Sequence, residues 1–86
     1  MTDETRNQVW DFMRDRTLES RVGALPFAVF LRVFHGWSAS YGFPLPLEHD
    51  VESALEAAGY RLIPGQRGDW LIKGLRFVPK GQEAPE

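Results

Sequence analysis

The sequence predicts an α+β domain in which three helices are closed off by a C-terminal β-hairpin. Three observations carry that prediction. An aromatic stripe runs through Leu25–Leu47 at helical spacing. A second amphipathic segment follows it across a proline-rich turn. At Tyr60 the hydrophobic period changes from about 3.6 to about 2, the change from helix to strand.

Residues 3–16 read as the first helix, with Thr2 or Asp3 as cap. Asp3 and Glu4 suit the positive end of the helix dipole, and Arg14 and Arg16 the negative end. Val9, Trp10, Phe12 and Met13 form its apolar side. Thr17–Gly23 shows no clear period. Arg21-Val22-Gly23-Ala24 is either a connector or a short third strand that joins the later hairpin.

The central helix spans about 26–41. Phe27, Phe30, Leu31, Phe34, Trp37 and Tyr41 draw its apolar stripe, leaving Arg32, His35 and Ser38 on the polar side. Pro26 fits the first turn, where a missing N–H costs nothing. Gly42, Pro44 and Pro46 end the helix. Residues 46–58 form the third helix, with Leu47, Val51, Ala54, Leu55 and Ala58 as its stripe, Glu48 and Asp50 in its first turn, and Gly59 as C-cap.

Strands follow at about 60–63 and 70–78, around the loop 64–69. Tyr60 and Leu62 alternate with Arg61, and Trp70 and Ile72 with Leu71. The parity switches at Gly74, after which Leu75 and Phe77 are the spaced apolar residues, a pattern that marks a β-bulge. Trp70 reads as a core residue, with stacking on a sugar or base as its other use. A lone hairpin is marginal in water, so this one must pack on the helices. The domain is therefore 1–78, and residues 79–86 are a flexible tail.

The chain has 86 residues and no cysteine, which excludes a disulfide framework and a thiolate metal site. A domain of this size buries only about 60–65% of the surface its unfolded chain exposes. Its stability must lean on the aromatics. Val22–Leu31, free of charge, is too short to span a bilayer, and the start MTDETRNQ is not a secretory signal. The expectation is a cytoplasmic protein with no membrane partner.

Charge is unevenly spread. Residues 1–60 carry net −4 and residues 61–80 net +4, the latter from Arg61, Arg67, Lys73, Arg76 and Lys80 against Asp69. The C-terminal third is thus the candidate to meet an anion. The plainer reading is that exposed strands carry cations for solubility and edge protection.

The order helix, short strand, helix, helix, hairpin is that of a winged helix-turn-helix, with 46–58 as recognition helix and 64–69 as wing. Trp37-Ser-Ala-Ser-Tyr41-Gly42, the Pro-Leu-Pro turn, Val51, Leu55 and Gly59 at four-residue steps, the basic loop, and Lys73-Gly74-Leu75-Arg76-Phe77 together carry a resemblance. Over roughly Val9–Val78, the chain resembles the C-terminal winged-helix domain of phage and plasmid primase-helicases of the poxvirus type. The resemblance implies a role at replication origins or in helicase assembly, in a phage or mobile-element setting. This chain has no room for the helicase or primase machinery itself.

One departure bears on function. The third helix carries Glu48, Asp50, Glu52 and Glu56 and no Lys or Arg, so it is ill suited to a major groove. His49 and Ser53 are its only candidate base readers. Duplex DNA would be held mainly by Arg61, Arg67, Lys73, Arg76 and Lys80, giving a salt slope of about −4 to −5. The alternative is a protein-interaction module or phage-encoded inhibitor whose acids at 48, 50, 52 and 56 face a basic partner surface. A homodimer that pairs the acidic helix with the basic hairpin is a third reading.

Catalytic chemistry is not apparent. His35 and His49 fall on different helices, with no ligand spacing for zinc. Ser38 lies one turn from His35, but no third group or oxyanion donor is evident. Gly65-Gln-Arg-Gly68 lacks the Gly-Lys-Ser/Thr of a phosphate loop. The expectation is a non-enzyme without cofactor.

Overall fold

A computed structural model describes residues 3–65 and 67–78. The order is α1 (Asp3–Arg16), β1 (Thr17–Pro26), α2 (Phe27–Ser40), α3 (Glu48–Ala57), β2 (Arg61–Pro64) and β3 (Trp70–Phe77). The strands form one antiparallel sheet in the order β1-β3-β2. The fold is therefore α+β, with the third strand present and longer than the segment 21–24. Thr2 and the tail 79–86, Lys80 included, lie outside the described residues.

Phe12 of α1 is the centre of the core. It is fully buried and meets Phe30, Phe34 and Trp37 of α2 edge-on, with ring centroids at 5.2, 5.4 and 5.5 Å. Edge-to-face pairs add ~0.5–1.5 kcal/mol each beyond simple burial. On its other flank, α1 packs against α3. The small residue Ala54 permits close approach, and the Trp10 indole donates to the Ala54 carbonyl at 3.0 Å. Ile72 and Leu75 of β3 and Leu25 of β1 complete the core.

The α2 stripe departs from expectation at two places. Ser38, assigned to the polar side, is fully buried, and Tyr41 is 59% exposed. Ser38 falls within the angular span of the stripe, between Phe27 and Leu31, and its hydroxyl accepts a hydrogen bond from Gln8 Nε2 at 2.9 Å. Burial of a polar group is tolerable when it is partnered in this way. The same Gln8 nitrogen donates to the Pro44 carbonyl, tying the connector after α2 to α1. Tyr41 has the right angle but lies past the last helical residue, where the core has ended.

Both α2 and α3 close with the same backbone device. Phe43 N–H bonds to the Ser38 carbonyl and Gly42 N–H to Ala39; Tyr60 N–H bonds to Leu55 and Gly59 N–H to Glu56. Gly42 and Gly59 both hold positive φ, +75° and +95°, which makes each a Schellman motif. After α2 the Phe43 ring packs back on Trp37 at 5.7 Å.

The third helix is shorter than 46–58. Leu47, placed in the apolar stripe, is the residue preceding the helix and is 70% exposed; Ala58 is exposed as well. The buried face is Val51, Ala54 and Leu55. Trp70, expected in the core, is 52% exposed. It pairs with Pro64 at the hairpin end, beyond the part of β3 that packs into the core.

β3 keeps regular register with β2, Arg61 opposite Lys73 and Leu62 opposite Ile72. Against β1 the register breaks between Glu19 and Ala24, where Gly74 alone faces Ser20–Gly23. The bulge predicted at Gly74 is thus present, with its extra residues contributed by β1. Gly23 returns the chain so tightly that a Cβ there would stand 2.9 Å from the Leu75 carbonyl oxygen.

Phe12→Ala should cost ~3–5 kcal/mol, a large share of the ~5–15 kcal/mol typical of a domain. Leu47→Ala should stay within about 0.5 kcal/mol. Urea denaturation of both variants checks the contrast, and a costly Leu47→Ala would return that residue to the core.

Candidate functional site

One face of the sheet turns Ile72 and Leu75 to the core. Residues directly opposite in an antiparallel ladder share a face. Lys73 therefore stands with Arg61 and Ala24 on the other face, Leu71 with Ile63 and Pro26, and Arg76 with Leu18. Arg61, Lys73 and Arg76 are exposed there, while Ile63 and Leu71 are half-buried. The result is a short apolar strip bordered by cations.

Arg61 and Lys73 face one another across the ladder. Like charges so placed are destabilising. Among the described residues no carboxylate forms an ion pair with either of them or with Arg76. Arg67 is exposed in the hairpin loop, where Gly65 N–H bonds to the Asp69 carbonyl. With Pro64, Gly65, Asp69 and Leu71 it lines a shallow hollow of about 540 Å³. The sheet thus brings Arg61, Lys73 and Arg76 onto one surface and sets Arg67 at its end. Lys80 lies outside the described residues.

His49 does not join them. It is exposed in the first turn of α3, with Nε2 3.3 Å from Asp50 Oδ1. Ser53 donates its hydroxyl to the His49 carbonyl, a contact internal to the helix. Glu48, Glu52 and Glu56 recur at four-residue steps and so lie along one side of α3. Among the described residues none of the three has an ion-pair partner. Asp50 is half-buried and stands apart from this row.

A second hollow, of about 420 Å³, was not legible in the sequence. It lies at the register break and is lined by Glu19, Ser20, Arg21, Tyr60, Lys73 and Gly74. Arg21 enters it because β1 leaves the ladder there, in the stretch that shows no period. Burial, and after it the Glu19 carboxylate, raises the Tyr60 phenol above its ordinary 10.0.

Ser38 and His35 do not form a catalytic pair. The Ser38 hydroxyl is bound by Gln8, and no hydrogen bond joins it to His35. Among the described residues no group of three His, Asp or Glu side chains could hold a metal ion, and no helix is long and apolar enough to cross a membrane.

Two expectations follow. Lys73→Gln removes the cross-strand repulsion and should stabilise the fold by ~0.2–1 kcal/mol at low salt. The gain should shrink toward 0.5 M salt as screening takes over; urea titrations at both ionic strengths measure it. The second concerns alkaline pH. The fold favours the neutral Tyr60 phenol, so that stabilisation is fully present below pH 10.0 and is lost as pH rises through the higher folded value. Tyr60→Phe should flatten the alkaline fall in stability and leave the neutral range unchanged, as read from denaturation midpoints between pH 7 and 11.

Compared with known proteins, the chain matches no family model, no curated protein and no solved structure.

Proposed function

We propose that this protein is a small, non-enzymatic winged helix-turn-helix module of cytoplasmic, phage or mobile-element type, which binds duplex DNA through the open face of its sheet. The single observation that carries the reading is the placement of Arg61, Lys73 and Arg76 on one exposed surface without carboxylate partners among the described residues. Such a surface is costly by itself and is relieved by phosphates. The element order and the pairing of β1 with the hairpin support the winged-helix assignment.

Contact of this kind positions a protein on the phosphate backbone and carries little sequence information. The acidic side of α3 keeps that helix out of a groove. Binding is therefore weakly dependent on base sequence and strongly dependent on salt. A second reading, an interaction module that sets the acids of α3 against a basic protein surface, is favoured by the unneutralised row Glu48, Glu52 and Glu56.

Fluorescence anisotropy with labelled duplex DNA tests the first reading. Contacts by Arg61, Arg67, Lys73 and Arg76 should give a salt slope of about −3 to −4. Arg61→Gln combined with Lys73→Gln should weaken binding to all sequences alike and flatten the slope by about 2. Absence of binding at low ionic strength overturns the DNA reading.

A further inference from the structure

The sheet face that carries Arg61, Lys73 and Arg76 is uncovered, and so is the acidic side of α3. We infer that the two are complementary and that a second copy of this chain docks its α3 on the open sheet face.

Three observations support the fit. The first is charge. Glu48, Glu52 and Glu56 on one side and Arg61, Lys73 and Arg76 on the other all lack ion-pair partners among the described residues. Within each set, like charges also repel at close spacing. Joining the sets removes both penalties at once.

The second is length. Four-residue steps on a helix rise about 6 Å, so Glu48 to Glu56 covers about 12 Å. Arg61 and Lys73 lie about 5 Å apart across the ladder. Arg76, three residues along β3, adds up to about 10 Å, less what the bulge at Gly74 takes back. The two rows are matched in reach.

The third is apolar surface. Ile63 and Leu71 lie half-buried beside Arg61 and Lys73, at the end of the row away from Arg76, and Leu47 stands just before Glu48 at the start of α3, 70% exposed. Leu47 on the Ile63–Leu71 strip adds an apolar contact at one end of the charged rows. The contact joins two different patches of the chain, so it is heterologous and lets copies add head to tail. The inference stands on these surfaces and not on the nucleic-acid reading, which the DNA titration tests separately.

Sedimentation velocity of the full chain tests it, with circular dichroism confirming that each variant folds. The wild type should associate at low salt as concentration rises, and dissociate near 0.5 M salt. Glu52→Lys with Glu56→Lys makes both surfaces basic, and Arg61→Glu with Lys73→Glu makes both acidic. Each double variant alone should associate at least ~10-fold more weakly, the scale expected for losing close interfacial charge pairs. Mixed in equal amounts, the two should associate again, because each then offers what the other lacks. A wild type that stays monomeric at low salt, or a mixture that fails to associate, overturns the inference.

Discussion

The structure depends on one ring inserted among three others. Phe12 lies edge-on to Phe30, Phe34 and Trp37, which fixes how α1 crosses α2. Once that crossing is set, Val9 is buried in the core and Trp10 is anchored to the Ala54 carbonyl of α3. The sheet then closes over the remaining side with Ile72 and Leu75. A chain this short has few ways to bury enough apolar area, and concentrating aromatic rings at one crossing is an efficient one. The two buried polar side chains of the core layer are partnered: Ser38 by Gln8 of another helix, and Thr17, whose hydroxyl donates to the Met13 carbonyl at 2.6 Å.

The surface follows the opposite rule. Charges inside α1 are neutralised by neighbours, Arg6 by Asp3 and Arg14 by Asp11. Among the described residues, Arg61, Lys73 and Arg76 on the open sheet face and Glu48, Glu52 and Glu56 along α3 have no such neighbour. The arginine ion pairs among the described residues thus concentrate in α1, and the two charged surfaces lie outside them. The core could be kept with either bare surface neutralised, since none of those side chains reaches the buried cluster. That separation leaves the charged surfaces free to change without disturbing the aromatic crossing.

Much of this was visible in the sequence, and what was hidden has identifiable causes. The α2 stripe, the α3 stripe and the hairpin are local patterns, and periodicity finds local patterns. The burial of Ser38 is not local: a hydroxyl reads as polar until Gln8, in another helix, is known to meet it. Strand β1 was invisible as a full strand because its partner lies some fifty residues on and its ladder is broken at Ser20–Gly23. Trp70 was misplaced because parity reports which way a residue faces, not whether the other layer extends that far. Of the cationic residues, Arg61 and Lys73 were identifiable by type, but only the register shows that they stand face to face. His49 was a candidate by position alone, and its exposed ring next to Asp50 sets it apart from the cations.

The excursion of β1 at Ser20–Gly23 has a consequence for how the chain could vary. Gly23 is pinned by the Leu75 carbonyl, but Val22, just before it, projects almost wholly into solvent and has no ladder partner. Extra residues placed between Arg21 and Val22 would lengthen a detour that already exists, leaving both flanking registers intact. Of all the points along the three strands, this is where the polypeptide can grow, and where a probe or a grafted loop could be carried without asking the rest of the molecule to move.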